Sequence, residues 1–327
     1  MKAYVQRSYG SPDSLRLEDV PRPVPGDDEV LVRVHATSVN PYDWHNMRGE
    51  PRVARVLGEL GLRRPKIPVL GADLAGTVAE AGAKVTEFAP GDEVFAMVEG
   101  GGFAEYACVR AELLARKPRN LSFEQAAAVP LAANTALVAV RDDGGVRSGH
   151  RVLVNGASGG VGTFAVQIAR ALGASVTGVC GPRNVTMVKS IGADDVVDYT
   201  VADFTRTGRH HDLVVDIAGS RSMPACRRAL APKGGYVVVG GPPGRWVQPM
   251  GHVMAGLALA PLLSQRAALT NVLSRTDKKA MLETLTGLIE SGEVTPVIDR
   301  TYPFDKIPAA VGYLEQGHAS GKVVVTV

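Results

Sequence analysis

The stretch Val154-Asn155-Gly156-Ala157-Ser158-Gly159-Gly160-Val161-Gly162 decides the fold. It continues Arg151–Asn155, a short apolar run without polar alternation, which reads as a strand buried on both faces. It opens Val161–Leu172, where Val161, Phe164, Ala165, Ile168, Ala169 and Leu172 recur at helical spacing on one face. Buried strand, glycine-rich turn and amphipathic helix, in that order, make the first half of a βαβ unit. Aligned on the dinucleotide fingerprint, Ala157, Gly159 and Gly162 take its three small positions: the tight turn, the close approach of backbone to pyrophosphate, and the close packing of helix on strand. Ser158, Gly160 and Val161 complete the cradle, whose free N–H groups and helix dipole favour phosphate. Glycine-rich turns of this kind also occur without any ligand, and the order of strand, turn and helix is what favours binding here.

Downstream, Ser175–Val179, Asp195–Tyr199, Leu213–Ile217 and Tyr236–Gly240 are further apolar runs separated by helical segments, the pattern of a parallel sheet. Cofactor choice is read at the end of the second strand, where enzymes using the unphosphorylated dinucleotide place a carboxylate on the ribose. This chain has Val179-Cys180-Gly181-Pro182-Arg183-Asn184 there. A carboxylate is absent and a guanidinium able to pair with a 2′-phosphate is present, so the reading is NADPH, with Cys180, Arg183 and Asn184 lining its adenosine end. The alternative for Arg183 is a solvated surface arginine.

Upstream, the first 120 or so residues form an antiparallel β-rich unit with runs at Val30–Val34, Leu74–Ala79 and Tyr106–Val109. Ala89-Pro90-Gly91-Asp92 reads as a tight turn before the strand Glu93–Met97. Pro51–Lys66 carries Arg52, Arg55, Arg63 and Arg64, with Val53, Val56, Leu57 and Leu60 at helical spacing; it reads as an amphipathic helix or lid near the substrate entrance, or as a solvated surface helix. Beyond the parallel sheet, Pro242–Ser274 is interrupted by Pro249 and Pro261 and is assigned a helix and an edge strand. A helix at Asp277–Ser291 and strands at Val294–Tyr302 and Lys322–Val327 close the chain.

At 327 residues the chain exceeds a single core, so two domains are expected. Lysine and arginine total 36 against 33 acidic residues, spread without a block or stripe, which argues against nucleic acid. Met1–Tyr9 has the character of a strand and not of a leader. The longest apolar stretch, Val253–Leu263, contains Gly256 and Pro261 and falls short of the roughly 20 residues a spanning helix needs. These features lead to the expectation of a cytoplasmic protein without a membrane partner. Cys108, Cys180 and Cys226 are odd in number and far apart, which fits a reducing compartment. His210-His211 reads as a solvated turn, and the other histidines show no metal spacing.

Several further stretches, in order, resemble the quinone oxidoreductase branch of the medium-chain dehydrogenase/reductase superfamily over essentially the full length. They are Val39-Asn40-Pro41-Tyr42-Asp43, Pro68-Val69-Leu70-Gly71-Ala72-Asp73-Leu74-Ala75-Gly76, Gly91-Asp92-Glu93-Val94, Phe103-Ala104-Glu105-Tyr106, Ala157–Gly162 and Gly321-Lys322-Val323-Val324. The resemblance implies an α/β architecture in which a Rossmann doubly wound parallel sheet is inserted into a GroES-like β-rich catalytic domain: catalytic domain 1–124, NADP-binding domain 125–274, and a C-terminal return 275–327. It implies an active site in the interdomain cleft. It also places Thr135 and Gly240-Gly241 near the nicotinamide, Tyr199 near the adenosine phosphate, Gly219 beside the adenosine ribose, and Lys322 at a recurring cofactor position, with a surface ion pair as the alternative for Lys322. Zinc relatives carry cysteine, histidine and cysteine where this chain has Asn40, Ala72 and Leu131, so no metal is expected. Without a Lewis acid, hydride delivery to a quinone or an α,β-unsaturated carbonyl compound is favoured over alcohol oxidation. Tyr42 is the candidate proton or hydrogen-bond donor, Asn40 a second donor, and Asp43 a residue that ties the loop. Wall packing is the alternative for Tyr42. The competing functions are a non-catalytic NADPH-binding sensor or scaffold, an enoyl-thioester reductase acting in trans, or a zinc-free alcohol dehydrogenase. A small-molecule substrate and a homodimer paired near Leu269–Leu273 complete the expectation.

Overall fold

The structure, a computed structural model, describes residues 1–58, 60–241 and 265–327. It contains two compact units: Met1–Ala132 with Thr276–Glu290 and Pro296–Val327, and Ala133–Arg275 with Ser291–Thr295. The first boundary thus falls at 132/133 where the sequence suggested 124/125, and Ser291–Thr295 returns to the second unit.

In the first unit β1 (Lys2–Gln6) pairs antiparallel with β2 (Leu15–Asp19). A separate sheet is built on β3 (Glu29–Val39), flanked by β4 (Asp73–Ala81) and by β15 (Lys322–Thr326), both antiparallel to it. From β4 it continues through β5 (Glu93–Met97) to β7 (Leu114–Arg116), and β15 carries β14 (Ile298–Pro303) as its one parallel neighbour, while β6 (Tyr106–Arg110) pairs with the first half of β3. Alternation along β3 sends Val30, Val32 and Val34 into one core with Leu74, Val94, Phe88 and Leu114. Its far end joins a second core of Val39, Met47, Leu70, Phe103, Ile307, Val311, Val323 and Val325. The turn at Ala89–Asp92 forms as read, with Gly91 at φ +95° and the Asp92 N–H donating to Ala89 O.

The second unit holds a parallel sheet in the order β10 (Asp195–Asp198), β9 (Ser175–Cys180), β8 (Arg151–Asn155), β11 (His211–Asp216), β12 (Leu230–Val238), β13 (Arg266–Leu269). The order reverses between β8 and β11, and every strand ends on the same edge. A ligand crevice belongs outside that switch point. The helix Gly160–Ala171 packs on this sheet, and burial extends beyond the expected stripe to Thr163, Val166 and Gln167. Gln167 explains part of this, because its amide bonds the backbone of Thr295 in both directions within the same unit.

Three expectations change. The 51–66 segment holds a helix only at Arg52–Val56, because Gly58, Gly61 and Pro65 break the periodicity that its apolar residues suggest. His211 is buried, with its ring against Ala229 O and the Thr177 hydroxyl, and it begins β11 where a solvated turn was expected. Most of 242–274 lies outside the described residues, though the edge strand is present at Arg266–Leu269, slightly earlier than expected. Among the described residues no helix is long and apolar enough to cross a membrane.

Candidate cofactor and catalytic sites

In the second unit β8 ends at Asn155, and the chain turns at once through Gly156 at φ +92°, a conformation that favours glycine. The left-handed turn therefore falls on Gly156, one residue ahead of Ala157, which is fully buried. Gly156 and Ala157 both donate to Val179 O on the neighbouring strand and so pin the turn to β9. A Cβ on Gly162 would stand 2.0 Å from Gly156 O, so the helix can sit this close to the turn only with glycine there. Gly159 differs: its nearest neighbour to a Cβ would be Gly156 O at 3.6 Å, ordinary contact distance. The folded chain does not itself require glycine at 159, and the space left open there suits a phosphate approaching the N–H groups of Gly160, Val161 and Gly162, which lack partners further back in the helix. The site thus fits a dinucleotide.

Along the same edge, Gly181 follows β9, and a Cβ there would lie 3.1 Å from the Tyr199 hydroxyl. Cys180, Gly181 and Tyr199 are thereby brought together, with Arg183 and Asn184 in the next turn, where Asn184 N–H donates to Gly181 O. Burial, assisted by the nearby Asp198, raises the Cys180 thiol to about 11, so it packs as an apolar side chain. Asp198 was missed from the sequence: as the last residue of β10 it stands in register with Cys180, and its carboxylate accepts from the Thr200 N–H and hydroxyl.

Behind the turn, fully buried Asp216 ends β11 beside Asn155. Its carboxylate accepts from Asn155 Nδ2 at 2.7 Å, Gly219 N–H at 3.0 Å and the Tyr236 hydroxyl at 2.5 Å. One buried group thus fixes the last residue of β8 and the Gly219 loop together. Gly240 follows β12 with the same steric demand, since a Cβ would meet Ile217 O at 2.6 Å, and Gly241 is the last described residue before 242. Thr135 is nearly buried on the helix Pro130–Leu137.

The first unit holds the other half of the expected chemistry. Antiparallel pairing sets the C-terminal end of β3 beside the starts of β4 and β15, with Ser38 opposite Asp73 and Val39 opposite Val323. Polar residues at these three strand ends therefore meet. Asp73 is wholly buried and accepts from Ser38 Oγ at 2.6 Å, Asn40 Nδ2 at 2.9 Å, Lys322 Nζ at 3.2 Å and Leu131 N–H at 2.8 Å. Lys322 Nζ also donates to Asn40 Oδ1 at 2.5 Å. Asn40 is buried with both Nδ2 hydrogens directed to acceptors, Asp73 and Ser38 O, so it has no free donor for a substrate oxygen. Lys322 is not a surface lysine; it is the cation of a buried cluster, its side chain 3% exposed.

Asn40 starts the helix Pro41–Arg48, and Asp43 closes it by accepting from Asn40 N–H at 2.8 Å and Gly71 N–H at 3.0 Å, which is the loop-tying role expected of it. Burial raises the Asp43 carboxyl to about 7, with Asp73 adding to the rise and the two backbone donors and Lys322 opposing it. Tyr42 is half-buried, and its phenol is pushed up to about 12 by burial and by Asp43 and Glu99. It remains protonated at neutral pH and available as a hydrogen-bond donor. The three positions where zinc relatives carry ligands do not fit that metal: Ala72 and Leu131 offer no donor side chain, and Asn40 Oδ1 is taken by an ammonium. Among the described residues no group of three or more histidine, cysteine or acidic side chains is arranged to hold a metal ion.

Comparison with known proteins agrees with this geometry. Residues 26–119 match the family model of the alcohol dehydrogenase GroES-like domain, and residues 191–325 match the model described as zinc-binding dehydrogenase. The chain is 34% identical to the chloroplast envelope quinone oxidoreductase homolog of Arabidopsis thaliana, covering 99% of this chain and 98% of that protein. It is 35% identical to the chloroplastic NADPH-dependent alkenal/one oxidoreductase of the same plant, over 99% of this chain and 79% of the relative. Among solved structures the quinone oxidoreductase from Coxiella burnetii superposes with a TM-score of 0.84 at 30% identity, covering 100% and 99% of the two chains. With a parallel sheet carrying the dinucleotide turn and a mostly antiparallel sheet carrying the buried Asp73 cluster, the chain is an oxidoreductase with a nicotinamide cofactor and belongs to the quinone oxidoreductase branch of the medium-chain dehydrogenase/reductase superfamily.

Proposed function

We propose that the protein is a zinc-independent, NADPH-dependent reductase acting on a quinone or an α,β-unsaturated carbonyl compound. The observation that carries this reading is the Lys322–Asn40–Asp73 cluster, in which a protein ammonium is bound where zinc relatives keep their metal ligands. An alcohol needs an electrophile to ionise its oxygen, whereas a conjugated carbonyl or quinone is already activated toward hydride. When bound, NADPH supplies that hydride. The protein's own part is to hold the phosphates at Gly159–Gly162, to face the 2′-phosphate with Arg183, and to donate a hydrogen bond from the neutral Tyr42 phenol to the oxygen that becomes negative. The names of the Arabidopsis relatives support the substrate class.

Steady-state oxidation of NADPH and NADH against a panel of quinones and enones tests the proposal, with elemental analysis of the purified protein alongside. NADPH-preferring turnover without zinc is expected. Tight NADPH binding with no turnover would favour a sensor or scaffold, and stoichiometric zinc would end the reading. Tyr42→Phe is expected to lower kcat about tenfold or more with little change in KM, as for a group that acts late in the reaction. The reading extends to a cytoplasmic homodimer: among the described residues β13 is the outer strand of its sheet, and Leu269 at its end and Leu273 four residues on are exposed, so sedimentation velocity should find twice the chain mass.

A further inference from the structure

Of the nine large hydrophobic side chains exposed among the described residues, three fall within seven positions: Val56 at 77%, Leu57 at 60% and Leu62 at 66%. Single exposed apolar residues are ordinary, but a local concentration marks a surface that something else covers. The same segment is basic. Between 51 and 66 the sequence has four arginines and a lysine against a single glutamate. Arg52, Arg63, Arg64 and Lys66 are exposed, and none of the ion pairs of this unit among the described residues involves Arg63, Arg64 or Lys66.

Hydrogen bonds fold the segment into one knob. Leu60 N–H reaches back to Ala54 O, Lys66 Nζ donates to Gly58 O, and the Tyr9 hydroxyl holds the carbonyls of Gly61 and Arg64. Arg55 is spent inside it, bonded to the carbonyls of Arg48 and Gly49 and stacked on the Tyr9 ring. The outward groups are therefore Val56, Leu57 and Leu62 with Arg63 and Arg64, while Lys66 adds its charge from beside Gly58 O. We propose that this knob docks the protein on an anionic lipid surface, the apolar side chains entering the headgroup boundary and the cations meeting lipid phosphates and carboxylates. Apolar side chains interleaved with arginines and a lysine that have no carboxylate partner suit such an interface, where each cation and each buried methylene adds to binding. It is peripheral docking, since no described helix could span the bilayer, and it departs from the expectation of no membrane partner. It stands apart from the reading of the reaction, because it can be measured without turnover.

The test is co-sedimentation of the full chain with vesicles of phosphatidylcholine alone and of equimolar phosphatidylcholine and phosphatidylserine. Binding is expected on the anionic vesicles and not on the neutral ones, and it should fall as salt rises. Arg63→Ser with Arg64→Ser should weaken partitioning about 25-fold, since two cations are removed, and Leu57→Ser with Leu62→Ser should weaken it at least tenfold. All four side chains are exposed, so thermal melting and NADPH turnover on a soluble quinone should stay at wild-type values. The proposal is overturned if the wild-type chain does not sediment with anionic vesicles, or if neither pair changes its binding. It is also overturned if Leu57→Ser with Leu62→Ser alters the oligomeric state while vesicle binding is absent, which would make a second copy the occupant.

Discussion

Lys322→Met separates two roles for the lysine. Methionine keeps most of the length and apolar volume of the stem, so the change removes a charge more than it removes packing. In the folded chain it leaves Asp73 without its cation at a site with no exposure. Breaking a buried pair from one side typically costs about 3–5 kcal/mol. Three donors remain on Asp73, from Ser38, Asn40 and Leu131, which places the carboxylate at the low end of that range. Asn40 Oδ1 loses its donor as well, adding about 1 kcal/mol. A loss of about 3–4 kcal/mol is therefore expected for the first unit. In the double variant Asp73→Asn with Lys322→Met the uncompensated charge is gone, so its loss should fall short of the sum of the single losses by at least about 1 kcal/mol. Urea titration followed by hydrogen exchange in peptides from β4 and β15 reads this unit directly. If Lys322→Met left their protection within about 1 kcal/mol of wild type while NADPH affinity dropped, the lysine would be a cofactor ligand and the cluster argument would fail.

The glycines of the turn should part company. Gly162→Ala, whose methyl would overlap Gly156 O, should lose NADPH binding and about 2 kcal/mol of stability, while Gly159→Ala should stay within about 1 kcal/mol of wild type yet bind NADPH at least about tenfold more weakly, as calorimetry would show. Arg183→Ala should raise KM for NADPH about tenfold and leave that for NADH unchanged, and Asp198→Asn should move preference further toward NADPH; equal effects on both dinucleotides would remove Arg183 from the phosphate. Asp43 should give a pH dependence: its carboxyl, near 7 folded and near 4 in an unfolded chain, holds its proton more tightly when folded, so this stabilisation is full below about pH 4 and is lost as pH rises through 7. The ceiling is about 4 kcal/mol, and Asp43→Asn, which cannot titrate, should flatten the melting temperature between those limits.

What the sequence reveals differs between the two sites for a physical reason. The dinucleotide turn is local: strand, turn and helix are contiguous, and the steric demand at Gly162 is written into one residue. Even so, the tight turn was assigned to Ala157, while the left-handed residue is Gly156, for which a glycine directly after a buried strand was the signal. Asp198 escaped because it stands 18 positions beyond Cys180 in the chain, and only the β9–β10 register sets the two side by side. The 51–66 segment misled because apolar spacing was weighed without its breakers, Gly58, Gly61 and Pro65.

The Asp73 cluster is the harder case, since Asn40, Asp73 and Lys322 lie in three separate stretches and nothing in their spacing joins them. Register does so: β3 lies between β4 and β15 and runs against both, so its end must meet their beginnings. A charged residue opening a strand whose next positions are all apolar is the trace this leaves in sequence, as in Asp73-Leu74-Ala75 and Lys322-Val323-Val324. Such a residue enters the sheet where its neighbours are already buried, and desolvation obliges it to find an opposite charge. Two openings of opposite sign, beside a strand ending in Ser38-Val39-Asn40, predict a buried ion pair once the pairing is known. That is why an arrangement invisible to motif reading follows from topology and charge alone.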